Sequence, residues 1–113
     1  MEEFIPSEAE EQIAFVQWLQ LKKLHHWRTP NETFTKSWKQ KNMNKLLGVQ
    51  SGIPDLFIIV NNKVIAIEMK RKKYSRTSPT QLEWIGRLNS AGIPTKVCFG
   101  AKAAIAFVEE FMI

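Results

Sequence analysis

Cysteine is almost absent from this chain. Cys98 stands alone, so no disulfide can close within it. It lies in the apolar run Thr95-Lys96-Val97-Cys98-Phe99 and reads as a small buried hydrophobe rather than a nucleophile. No apolar run reaches the ~20 residues that a bilayer-spanning helix needs, and no secretory signal pattern is visible. The expected setting is therefore cytoplasmic, with no membrane partner. Histidine is scarce too. His25 and His26 are adjacent, so they point apart and make a poor chelating pair. Repeats, low-complexity tracts and linkers are lacking, and residues 1–113 read as a single domain. Acids are the minority charge: 11 against 16 bases leaves a formal net charge of +5, with a sequence pI near 9.5. That balance favours an anionic partner such as nucleic acid.

What the chain does have is a pair of apolar strands with acids at matching ends. Asp55 opens the run Asp55-Leu56-Phe57-Ile58-Ile59-Val60. Glu68 and Lys70 close the run Lys63-Val64-Ile65-Ala66-Ile67-Glu68-Met69-Lys70. Asn61-Asn62 between them suits a two-residue hairpin turn with positive φ at both positions. With that turn, Val60 faces Lys63 and Asp55 faces Glu68. The two carboxylates then lie on one face with Cβ atoms roughly 4.5–5.5 Å apart. Lys70, two residues past Glu68, points the same way. Two adjacent carboxylates repel. A divalent cation between them removes the repulsion, and hard oxygen ligands suit Mg²⁺ or Mn²⁺. The backbone carbonyl of Met69 is a further candidate ligand.

The rest of the chain frames this hairpin. Ser7-Glu8-Ala9-Glu10 is a capping box that starts a helix running to about Leu24, with Ile13, Phe15, Val16 and Leu19 as its apolar stripe. A short strand is expected around Trp27-Arg28. A weakly helical basic stretch over 36–47 ends at Gly48. Ser78-Pro79 opens a helix that runs to about Ala91 and stops at Gly92. A strand over 95–99 and a helix over about 102–112 follow. A strand–helix–strand unit over 64–99 makes one parallel pair in an otherwise antiparallel sheet. The fold class is α/β, a mixed β-sheet flanked by α-helices.

Pro54-Asp55 with Glu68-Met69-Lys70 resembles the PD-(D/E)XK nuclease signature. Gly52-Ile53-Pro54-Asp55, Ile67 to Lys70, Ser78-Pro79-Thr80-Gln81 and Ala91-Gly92, in that order, resemble the VRR-NUC branch over about Glu8 to Phe99. The resemblance implies a restriction-endonuclease-like core and a metal-dependent endonuclease that hydrolyses DNA phosphodiester bonds. It also implies a compact form, from a bacterial cell or a phage-infected host. By the same resemblance, such a form is expected to be a homodimer that acts on branched DNA such as four-way junctions. Asp55 and Glu68 would hold the metal, and Lys70 would position the attacking water or stabilise developing charge. A third acid is implied on the first helix. Glu8, Gln12, Phe15 and Leu19 share a stripe, so Glu8 is the choice and Glu11 the runner-up, with Glu10 left as the capping partner. The resemblance puts Gln81 near the site and Arg28 and Asn31 against the phosphate backbone. Lys36, Lys39, Lys41 and Lys45 with Trp38 form one basic cluster. Lys70 to Lys73 with Tyr74 and Arg76 form another, in which Lys72, Lys73 and Arg76 are expected to meet phosphates. Two rival readings remain: a restriction-like or RNA-processing nuclease of the same superfamily, and a non-catalytic nucleic-acid-binding module. No sequence-reading element is visible to support the first. The intact Asp55, Glu68 and Lys70 argue against the second.

Overall fold

The computed structural model describes residues 4–29, 37–71 and 75–113. In chain order the elements are α1 (Glu8–Leu21), β1 (His26–Arg28), α2 (Trp38–Leu46), β2 (Leu56–Val60), β3 (Lys63–Lys70), α3 (Pro79–Ser90), β4 (Thr95–Phe99) and α4 (Ala101–Glu109). The strands form one sheet in the order β1-β2-β3-β4. β1 and β2 are antiparallel, as are β2 and β3, while β3 and β4 run parallel with α3 as the crossover. The fold class is the α/β mixed sheet that the pattern predicts.

The hairpin register is the predicted one. Val60 pairs with Lys63 and Leu56 with Ile67. Asn61 and Asn62 take φ of 48° and 65°, left-handed values that asparagine tolerates and that match a turn of the type I′ hand. Alternation then sorts the two sheet faces. Leu56, Ile58, Val60, Ile65, Ile67, Met69 and Cys98 turn to one face. There they pack with Phe15 and Leu19 of α1 and Ala104, Phe107 and Val108 of α4 into the apolar core. Asp55, Phe57, Ala66, Glu68 and Lys70 belong to the other face, where α3 lies.

Helix ends follow local chemistry. Ser7 and Glu10 form the capping box of α1, and Ser78 and Gln81 form that of α3, with Pro79 in its first turn. α1 stops at Leu21 rather than near Leu24. Lys23 takes φ of 59°, and the N–H groups of Lys23 and Leu24 turn back to the carbonyls of Gln20 and Leu19. This is a helix-ending loop with lysine where glycine is usual. The stripe of α1 is also shifted. Phe15 and Leu19 are buried as expected, but Glu11 is buried with them and Ile13 is 57% exposed. Positions 11, 15 and 19 define the inner face, and residue 13 lies about 200° around the helix from 11. α4 begins at Ala101, straight after Gly100, and ends at Glu109, short of the expected Met112.

Candidate active site

Three carboxylates converge where α1 begins and the hairpin strands open and close. Oxygens of Glu8, Asp55 and Glu68 all lie within 4.8 Å of one another. Each arrives by a different local rule. Glu8 is the first residue of α1, set by the Ser7 cap. Asp55 precedes β2 at the turn after Pro54, and its Oδ2 accepts a 2.9 Å hydrogen bond from the backbone N–H of Met69. Glu68 sits inside β3 and is 3% exposed. Lys70 Nζ stands 3.8 Å from Glu68 Oε2, with a side chain only 13% exposed. That burial separates it from the exposed Arg71 beside it. Gln81 completes the group, donating from Nε2 to Glu68 Oε2 at 3.2 Å.

The electrostatics are those of an acid cluster lacking enough counter-charge. Burial pushes the Glu68 carboxyl up to about 8, and Asp55 and Glu8 push the same way against Lys70. Glu8 is raised as well, by partial burial first and by Asp55 second, with Lys70 opposing. One lysine against three carboxylates leaves charge uncompensated. A hard divalent cation supplies the missing charge, and three carboxylate oxygens are the donor set that such ions take. The residues present therefore fit a divalent metal.

The acids line a cavity of about 320 Å³ bounded by Glu8 at the start of α1, by Asp55, Glu68 and Lys70 of the hairpin, and by Ser78, Thr80 and Gln81 at the start of α3. The loop residues Gln50, Ser51 and Gly52 close another side. Sequence reasoning passed over Gln50 and Ser51. It also passed over Thr29, whose Oγ1 donates to the Pro54 carbonyl at 2.6 Å and fixes the turn that carries Asp55. The one available signal was Gly52, in the Gly-x-Pro-Asp run. Its φ is +84°, and an added Cβ would lie 2.6 Å from Thr80 Cγ2 and 2.9 Å from the Thr80 carbonyl carbon. Glycine lets the loop touch the α3 terminus.

Of the expected site residues, Glu8, Asp55, Glu68, Lys70 and Gln81 are brought together. Met69 contributes its backbone N–H to Asp55, while its side chain is buried in the core on the opposite face. Glu11, the alternative to Glu8, is engaged elsewhere. Its Oε1 accepts the Ala101 N–H at 3.2 Å, capping α4, which has no side-chain cap of its own. Arg28 does not line the cavity. It pairs with Leu56, so its strand position faces away from Asp55. Arg76 is exposed and outside the cavity. Asn31, Lys36, Lys72, Lys73 and Tyr74 lie outside the described residues.

The model of the VRR-NUC domain matches residues 5–102. The chain belongs to the VRR-NUC family. A solved structure described as a VRR_NUC domain protein superposes with a TM-score of 0.80 at 22% identity, covering 99% of this chain and 91% of that one. At that identity the likeness speaks to the fold. No curated protein matches the chain. A VRR-NUC domain carries a nuclease-type fold, and its substrate class is nucleic acid. The acidic triad of this VRR-NUC chain is a candidate metal-binding group. Among the described residues, no helix is long and apolar enough to cross a membrane.

Proposed function

We propose that this chain is a Mg²⁺- or Mn²⁺-dependent endonuclease that hydrolyses DNA phosphodiester bonds, acting in the cytoplasm as a homodimer on branched DNA such as four-way junctions. The observation that carries the chemical part is the convergence of Glu8, Asp55 and Glu68 within 4.8 Å, beside the semi-buried Lys70. When bound, a divalent ion supplies an activated water and charge neutralisation at the phosphate. Glu8, Asp55 and Glu68 would hold it, with the Met69 carbonyl as a further oxygen. Asp55 is aimed by the Met69 N–H and Glu68 by Gln81. Lys70 has its ammonium at the cavity wall, placed to orient a water or to meet charge developing on the phosphate.

Support for the finer parts is physical and indirect. The net charge of +5 suits a polyanion. Arg28, Asn31, Lys72, Lys73 and Arg76 are proposed to meet the phosphate backbone. One small cavity cuts one strand, and a two-fold dimer sets two cavities on two strands.

The test is an assay panel with Mn²⁺ comparing single strands, duplex, flaps and four-way junctions at one stated salt concentration, with light scattering on the same preparation. Junction cleavage by a dimer is the expected result. Cleavage of none of them, with no metal-induced rise in melting temperature, would leave a non-catalytic binding module.

A further inference from the structure

The sheet face that bears the acids continues past them into an aromatic pair, exposed Trp27 on half-buried Phe57. Trp27 and Phe57 are cross-strand partners, and their rings stack with centroids 5.3 Å apart and planes 7° from parallel. Thr29 donates its backbone N–H to Asp55, so the ladder runs without interruption from the aromatic pair to the acid. Trp27 is two residues from the cavity-lining Thr29, and Phe57 is two from Asp55. Two residues of strand span about 6.6 Å, so the stack lies one such step from the triad on the same face.

The pair is only half finished as packing. β1 is an edge strand. Phe57 covers one face of the indole. Beyond the other there is no further strand among the described residues, and Trp27 remains 45% exposed. A core tryptophan would be covered on both sides. The cavity, by contrast, offers no aromatic surface: its lining is carboxylate, hydroxyl, amide and ammonium, with Ile53 as the apolar exception. The cavity suits a phosphate and its sugar, and the step beside it suits a planar ring.

Resting on the nuclease reading above, we infer that Trp27, backed by Phe57, is a stacking platform for an unpaired base next to the phosphate held at Glu8, Asp55 and Glu68. The occupant is a nucleobase rather than a second copy of the chain. The patch lies one strand step from the phosphate site on the same face, and the chain's positive charge complements a nucleic acid. The platform acts where a base has left the duplex stack. That departure costs least at branch points and single strands, which is where this chain is proposed to cut. Stacking on an aromatic ring tolerates any base, so the preference it confers is for strand state, not sequence.

Binding is measured in metal-free buffer, where nothing is cleaved, with oligothymidylate and with a duplex of equal length. Trp27→Leu should weaken oligothymidylate binding roughly ten- to a hundredfold and duplex binding by less than about threefold. Trp27→Phe should restore most of the loss. Oligothymidylate should quench wild-type tryptophan fluorescence more than that of Trp27→Phe, because the difference isolates Trp27 from the other three tryptophans. Equal losses on both ligands, or no loss, would overturn the platform. So would conversion of a larger species to monomer by Trp27→Leu in sedimentation, which would make the patch an interface between copies. Cleavage by wild type that Asp55→Asn leaves unchanged would sink the nuclease reading by a separate route, whatever the binding result.

Discussion

Gln81 donates from Nε2 to Glu68 Oε2 at 3.2 Å while its Oε1 accepts the backbone N–H of Ser78 at 2.9 Å. One carboxamide thus caps α3 and orients a buried acid. The helix cap fixes which end of the amide faces Glu68, because only the oxygen can accept from Ser78. Gln81→Ala should cost about 1 kcal/mol through the lost cap and also reduce cleavage. Gln81→Glu separates the two tasks. The cap survives, but a fourth carboxylate now faces Glu68. Its melting temperature without metal should fall below that of wild type, and saturating Mn²⁺ should raise it by more than it raises wild type. Thermal scans with and without metal read both effects.

The buried Glu68 makes metal-free stability depend on pH. Its carboxyl is raised from 4.5 to about 8 in the folded chain, by burial first and by Asp55 next. Between those values the folded state holds a proton that the unfolded state has lost. Linkage then requires stability to fall as pH rises through that window and to level off above it. Metal-free protein should therefore melt at a lower temperature at pH 8 than at pH 5. Glu68→Gln should flatten the slope and exceed wild type at pH 8. A slope unchanged in Glu68→Gln would assign the effect to other groups.

The hairpin register, and with it the nearness of Asp55 to Glu68, was legible because a two-residue turn leaves no freedom in register. β4 was legible because Gly92 and Gly100 bracket a short apolar run. Glu8 could be preferred over Glu11 from the helix stripe, but the stripe itself was misjudged. Helical periodicity counts Ile13 as core and cannot know that α4 needs a carboxylate at its N-terminus, which draws Glu11 inward. The cavity walls were illegible for a related reason. Thr29 and Ser51 line one cavity only once distant segments have folded together, and nothing local marks them. Arg28 was assigned to the phosphate backbone by resemblance alone, without the alternation that turns it from Asp55.

Gly52→Ala tests whether the loop must touch α3. The φ of +84° is strained for any L side chain, and the new Cβ would meet Thr80 backbone at 2.9 Å, which cannot swing aside. The change should cost roughly 1–3 kcal/mol. It should also move the α3 terminus, and with it Gln81, off Glu68, so cleavage should fall by more than the loss of folded protein explains. Gly48→Ala is the control. It shares a positive φ of +92° but has nothing within 4 Å of the added Cβ, so strain appears there without displacement. Equal activity losses in the two variants would remove the role of the contact.

Asp55 has two roles, and two substitutions divide them. Its charge helps to raise the Glu68 and Glu8 carboxyls, and its Oδ2 accepts the Met69 N–H. Asp55→Asn keeps an oxygen for Met69 and removes the charge. The metal-free variant should be as stable as wild type or more so at pH 8, because repulsion at Glu68 is relieved. Asp55→Ala removes both. It leaves a partly buried N–H without its partner, which costs about 1–3 kcal/mol and offsets the relieved repulsion. Both variants should lose the melting-temperature rise with Mn²⁺ and cleave at least about a hundredfold more slowly, since two carboxylates hold a divalent ion poorly and activate its water less. Both should still bind DNA without metal, Asp55→Asn slightly more tightly because a negative charge near the phosphate is gone. Near-wild-type cleavage by Asp55→Asn would remove the triad from the chemistry. Inactivity with an intact Mn²⁺ response would move the ion, but not the reaction, to other residues.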